Sequence, residues 1–362
     1  MDNIEQVIVL GAGASITDDA PSQADLFKKF FEYYRTNKDS VINSISKDQE
    51  KLLVHFFDKF WDIDIENNNN YQFPTFEECL GVLDLAYIRR ESFKGLSRDE
   101  IKDTRNALIF LIGKILDETL KNKPTINNHK KLIDKLIDEK NLKKTAFISF
   151  NYDILIDNVL TPLLDTDDML YLDYGFDFIN EDWKKPDPNN SIILYKIHGS
   201  LNWLYCPTCN KMEWTYNQKE KVHKSICNTE PCSFKGCDMP LEPVIIPPTY
   251  YKDMNNIYIQ EIFLKSEEIL RNAKKIFFCG YSFPDADIHF KYILKRAELF
   301  NQNQPKIFII NRDPHIKINE CTKEEKVKEE NRISRIFKNK QNIRFTNLSF
   351  QDFVEKGTKC LK

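Results

Sequence analysis

Long apolar runs are missing from this 362-residue chain: none approaches the roughly 20 residues that cross a bilayer. A leader is missing too, because Met1-Asp2-Asn3-Ile4-Glu5 is acidic and leads straight into a strand, so no secretory signal is expected. Charge of one sign is absent: 52 Lys and Arg stand against 55 Asp and Glu, a net of -3, and direct nucleic-acid binding is not predicted. No internal repeat and no low-complexity tail interrupts the chain. These absences exclude a membrane span and predict a soluble, cytoplasmic protein.

The content that remains is ordinary for a folded protein, 41% hydrophobic and 30% charged. The length suits one large domain with insertions, or two domains. Apolar strands end at Leu10, Phe150, Ile197, Cys279 and Ile310, and helical patterns separate most of them. That alternation predicts an α/β fold with a mainly parallel sheet covered by helices on both faces. More than 100 residues after the first strand carry no strand signal. Leu26, Phe27, Phe30, Phe31 and Tyr34 fall at helical spacing, followed by amphipathic stretches at Lys51–Trp61, Thr75–Arg90, Arg98–Leu120 and Asn128–Asp138, with Asn67–Asn70 as a polar loop. The predicted organisation is a Rossmann-like domain from residues 1–24, 141–205 and 241–362, a helical insertion over 25–140, and a cysteine-rich module over 206–240.

Polar residues at strand ends carry the chemistry, since ligands of open α/β sheets bind outside the carboxyl ends of the strands. Gly11-Ala12-Gly13-Ala14-Ser15 follows the first strand; its glycines let the backbone approach a pyrophosphate, although Ile16 leaves the dinucleotide fingerprint incomplete. Asn151 offers a donor and an acceptor suited to a water or a carboxamide, and Asp153 either binds a ribose or caps a helix. His198, before Gly199 and Ser200, is a candidate general base, with a structural histidine as the competing assignment. Gly280, Ser282 and Asn311 end two further strands and could line the same crevice or simply make turns.

Five of the nine cysteines crowd one segment. Cys206-Pro207-Thr208-Cys209 has the spacing of a zinc knuckle, and Cys232 with Cys237 is the favoured second pair. Cys227 could replace Cys232, or His223 could join. A four-cysteine zinc site is closed and therefore structural.

Taken jointly, these segments resemble the sirtuin superfamily, and more closely the bacterial sirtuin-like proteins of anti-phage defence systems. Gly11–Ser15 stands where sirtuins have their GAG(I/A)S phosphate loop, with Ala20-Pro21 after it. Asn151 and Asp153 match the sirtuin Asn-x-Asp, His198-Gly199-Ser200 the catalytic histidine motif, and Asn311 the ribose-contacting asparagine. Gly280-Tyr281-Ser282-Phe283 with Asp285-Ala286-Asp287 resembles the GYSLPDAD segment of the defence group, and the cysteines sit where sirtuins carry zinc. The resemblance implies a sirtuin-type fold with NAD+ as substrate: Gly11, Ala12, Gly13, Ser15, Asp153, Gly280, Ser282 and Asn311 bind it, while Asn151 and His198 act on it.

Two departures bear on the reaction. Val244-Ile245-Ile246-Pro247-Pro248-Thr249 replaces the FGE and peptide-pairing strand of deacylases, and the helical insertion is foreign to them. Hydrolysis of NAD+ to nicotinamide and ADP-ribose is therefore expected, and the resemblance implies NAD depletion in infected cells as its output. The rivals are a protein deacylase or ADP-ribosyltransferase, and a catalytically idle NAD or ADP-ribose sensor acting as a scaffold. Such an activity needs control, so self-assembly into a homo-oligomer or a partner is expected, docking through the helical insertion; the resemblance implies a HerA-type ATPase or helicase, an Argonaute or another defence partner.

Overall fold

The computed structural model of the chain describes residues 4–22, 25–29, 47–64, 73–93, 95–119, 126–167, 169–215, 231–246, 256–301, 303–311 and 323–357. Phe30, Phe31, Tyr34, Asn67–Asn70, His223, Cys227 and Pro247–Thr249 lie outside the described residues.

Seven parallel strands form the main sheet: β1 (Gln6–Leu10), β2 (Thr145–Ser149), β3 (Tyr171–Asp173), β4 (Ser191–Lys196), β8 (Lys275–Cys279), β9 (Lys306–Ile310) and β10 (Ile343–Phe345). Their order is β10-β9-β8-β1-β2-β4-β3. Every residue of β1 and β2 is buried, as the unbroken runs Val7-Ile8-Val9-Leu10 and Ala146-Phe147-Ile148 require of strands covered on both faces. Each such Ile, Leu or Phe contributes about 1.5–3 kcal/mol of transfer free energy. β1 pairs with β2 on one side and β8 on the other, Leu10 lying opposite Ser149 and Cys279. The strand order reverses at β1, so a crevice opens above its carboxyl end.

The described helices are α1 (Ala12–Ile16), α2 (Lys47–Trp61), α3 (Phe76–Arg89), α4 (Arg98–Thr119), α5 (Asn128–Asp138), α6 (Asp157–Thr166), α7 (Ile257–Asn272), α8 (Ile288–Phe300), α9 (Lys323–Ser334) and α10 (Phe350–Lys356), with residues 25–29 forming a further turn of helix. No described helix is long and apolar enough to cross a membrane. α7 packs with α8, and α5 with α10, against the sheet.

A second, antiparallel sheet, β6-β5-β7, is built from β5 (Gly199–Cys206), β6 (Lys211–Trp214) and β7 (Glu242–Ile245). Two apolar cores result. One surrounds the main sheet and includes Leu132, Ile133 and Leu136 of α5, so this last helix of the 25–140 span packs with the sheet. The other joins α2, α3 and α4 to Leu204, Cys206, Cys232, Leu241 and Ile245 of the cysteine segment.

Candidate active site

Gly11 and Gly280 follow the adjacent strands β1 and β8, and their backbones touch. Gly11 N donates to Cys279 O at 3.0 Å and Gly13 N to Gly280 O at 2.9 Å. A Cβ on Gly11 would lie 2.5 Å from Gly280 O, and one on Gly280, whose φ is +62°, would lie 2.2 Å from Ala14 N. Glycine is the residue that this approach accommodates.

From β2 comes a segment held by its own side chains. Asn151 Nδ2 donates to Gly11 O at 2.9 Å and to Ser15 Oγ at 2.8 Å, and Ser15 Oγ donates to Asp153 Oδ2 at 2.7 Å. Asp153 Oδ1 accepts from Leu155 N at 3.0 Å. These bonds hold residues 151–156 out of the helix, which begins at Asp157. Both amide hydrogens of Asn151 are committed to the glycine turn, and its carbonyl oxygen is the group remaining for a ligand.

Beneath this loop Lys196 is fully buried. Its ammonium donates to Asp153 O at 2.6 Å and to Asp157 Oδ2 at 3.0 Å, while Tyr174 OH donates to Asp157 Oδ1 at 2.5 Å. Burial, and then the Asp157 charge, push the Tyr174 hydroxyl well above its usual range. The charges are thus paired as a buried group requires.

His198 follows β4. Its Nε2 lies 3.2 Å from Asp287 Oδ1, and Tyr281 OH donates to Asp287 Oδ2 at 2.8 Å. A carboxylate beside an imidazole fixes its orientation and stabilises its protonated form. Phe150 meets the His198 ring edge-on at 5.1 Å, and Tyr152 stacks at 6.1 Å. Tyr152 OH donates to Ile246 O at 2.9 Å, whose own N donates to His198 O at 2.9 Å.

One cavity of about 290 Å³ gathers Gly11, Ala12, Ser15, Asn151, Asp153, His198, Gly280 and Ser282. Gly13 lies behind it against Gly280, and Asn311, exposed after β9, lies outside its lining. Sequence reasoning missed two contributors. Asp287 orients His198; in the sequence it stands only within the Gly280–Asp287 segment that resembles the defence group, with no role of its own. The insertion supplies a wall of Leu26, Phe76, Glu77, Ile112 and Leu116, which no local pattern announces.

The cysteines form a separate centre. The sulfurs of Cys206, Cys209, Cys232 and Cys237 all lie within 4.8 Å of one another, with Cys206 to Cys237 at 3.5 Å and Cys209 to Cys232 at 3.6 Å. A tetrahedral ion with metal–sulfur bonds of ~2.3 Å needs sulfurs at about this spacing, so the donor set fits zinc. Buried Cys79 and Cys279 stand apart, and burial pushes both thiols up, away from reactivity.

A family model described as a SIR2-like domain matches residues 145–345, more than half of the chain. Among solved structures, one titled "The Structural basis for Sirtuin Substrate affinity" aligns at 13% identity over 97% of this chain and 91% of that chain, with a TM-score of 0.39. Another, of SIR2 with the inhibitor EX-527, 2′-O-acetyl-ADP-ribose and a deacetylated p53 peptide, aligns at 14% identity over the same shares, with a TM-score of 0.39. No curated protein matches the chain.

Proposed function

The chain belongs to the SIR2-like family, and on that premise we propose that it is an NAD+ glycohydrolase, releasing nicotinamide and ADP-ribose. Family membership supports NAD-related activity in general. The observation that carries the narrower reading is the composition of the cavity: strand-end polar groups form one side, and Leu26, Phe76, Glu77, Ile112 and Leu116 of the helical insertion form a wall across it. In this reading Leu26, Phe76, Ile112 and Leu116 enclose the site opposite the strand ends, and water is the acceptor.

In this reading the pyrophosphate lies against Gly11–Ser15, with Asp153, Gly280, Ser282 and Asn311 completing the NAD+ contacts. Asn151 uses its carbonyl oxygen to hold the carboxamide or the water. His198, oriented by Asp287, engages the ribose hydroxyls. The bond from ribose C1′ to nicotinamide breaks with its electron pair leaving on nicotinamide, and water adds at C1′. Placement and preorganised dipoles supply the rate without a covalent protein nucleophile.

We assign Cys206, Cys209, Cys232 and Cys237 to a structural zinc that ties β5 to the turn at 231–240. The three-unit organisation has the sheet body, the helical insertion and the cysteine module acting together. The biological output is NAD depletion in anti-phage defence, in the cytoplasm, held silent by self-assembly or by a HerA-type ATPase docking on the insertion.

The test is incubation of the pure protein with NAD+, alone and with the neighbouring gene product, following nicotinamide and ADP-ribose. Turnover that disappears in Asn151→Ala and His198→Ala supports the reading. Tight NAD+ binding without turnover by the wild type contradicts it.

A further inference from the structure

We propose that Glu77, from the helical insertion, is a catalytic residue of this cavity, taking the proton from the water that attacks the ribose. The inference rests on the glycohydrolase reading and names a residue that no strand-end motif contains.

Glu77 is half-buried and lines the same cavity as Asn151, His198 and Asp287, although it is carried by a different core. Its placement is fixed from both sides. Thr75 caps α3, accepting from Glu78 N at 3.1 Å while its own N donates to Glu78 Oε2 at 2.6 Å. Phe76 is buried in the insertion core and meets the Tyr152 ring edge-on at 6.5 Å. The residue next to this anchor is therefore delivered beside the aromatic rings that surround His198.

The electrostatics suit the task. The cavity is lined by Glu77, Asp153 and Asp287 and by no lysine or arginine among the described residues. Asp153 holds Ser15 and the Leu155 amide, and Asp287 holds His198 and Tyr281. Glu77 enters from the insertion's wall, in the first turn of α3, where the helix dipole favours the ionised carboxylate. Burial raises the hydroxyls of Tyr152 and Tyr281, and the Glu77 charge adds to the rise at both, so its field reaches Tyr152, which stacks on the histidine, and Tyr281, which donates to the Asp287 beside it.

A carboxylate here answers two needs of the reaction. It faces the positive charge that develops on the ribose as nicotinamide departs. It also accepts a proton from water as the oxygen bonds to C1′ and the electron pair of the breaking C1′–N1 bond goes to nicotinamide. The proton passes on to solvent, so NAD+ and water yield nicotinamide, ADP-ribose and one proton.

The full chain, alone and with its activating neighbour, is assayed as wild type, Glu77→Gln and Glu77→Ala for nicotinamide release, NAD+ binding and thermal unfolding. Glu77→Gln is expected to lower kcat on the order of 10²-fold, with KM changed by no more than about twofold and an unaltered melting temperature. Added formate is expected to restore part of the turnover of Glu77→Ala. An undiminished kcat in Glu77→Gln, or a Glu77→Ala that formate does not restore, overturns the assignment while leaving the glycohydrolase reading in place. A wild type that binds NAD+ but releases no nicotinamide overturns that reading, and this inference falls with it.

Discussion

The carboxyl end of the sheet and the helical insertion contribute to one cavity but are held by different means. At the sheet end, backbones touch at Gly11, Gly13 and Gly280, and buried polar bonds link Asn151, Ser15, Asp153, Lys196 and Asp157. The insertion meets the site through apolar side chains from its own core, a core shared with the cysteine segment, and through Glu77. In the proposed reading, orientation of the nucleotide belongs to a network in which each member fixes the next. Enclosure belongs to the side chains of the insertion. On the proposed function, the difference separates the grip on the dinucleotide from the groups opposite it that decide what it reacts with.

Substitutions should separate the two regions. The largest stability loss is expected from Lys196→Met, which leaves Asp157 buried without its cation and costs about 4 kcal/mol, measured by denaturant unfolding. Phe76→Ala should follow at about 3 kcal/mol from the cavity left in the insertion core, with NAD+ affinity reduced through the lost wall. Gly280→Ala should cost about 2 kcal/mol through its positive φ and the contact with Ala14, and should weaken NAD+ binding even where the fold survives.

Acid provides a gentler probe of the sheet side. Asp18 is buried, which raises its carboxyl, but the bonds from His129 and from the Asn128 and His129 amides outweigh this and hold it below its ordinary 3.8. Its contribution to stability is thus complete above that value and is lost as pH falls below it. Unfolding midpoints measured between about pH 5 and about pH 2.5 should decline in the wild type more steeply than in Asp18→Asn. The smallest effect belongs to Lys102→Ala, whose exposed pairing with Glu242 at 3.4 Å across the insertion and β7 is worth roughly 0–1 kcal/mol. A larger loss there would mean that the insertion depends on that contact more than on its apolar core.

Much of the sheet end was legible because its signals are local. An unbroken apolar run announces a strand buried on both faces, and the polar residue ending it points to the crevice, which is how Gly11, Asn151 and His198 stand out. Lys196 gave no such signal, since a lysine closing an apolar strand reads as a solvated end; only the fold brings Asp157 and the Asp153 carbonyl to it. Asp287 reads as part of an acidic turn until β8 and β4 place it beside His198. The antiparallel sheet was hidden because β5 continues almost without pause from β4 through the turn at Ile197 and His198. Glu77 could not be singled out, being one of two consecutive glutamates at a helix start, where acidic residues are commonplace.

The central claim is that this cavity passes the ribose of NAD+ to water. The most direct measurement is NAD+ turnover in ¹⁸O-water, with mass spectrometry of the released ADP-ribose. The account predicts one ¹⁸O on the ribose carbon that carried nicotinamide, in step with nicotinamide release. Nicotinamide released while ADP-ribose appears on an acyl group or on protein, without solvent oxygen at that carbon, would contradict it.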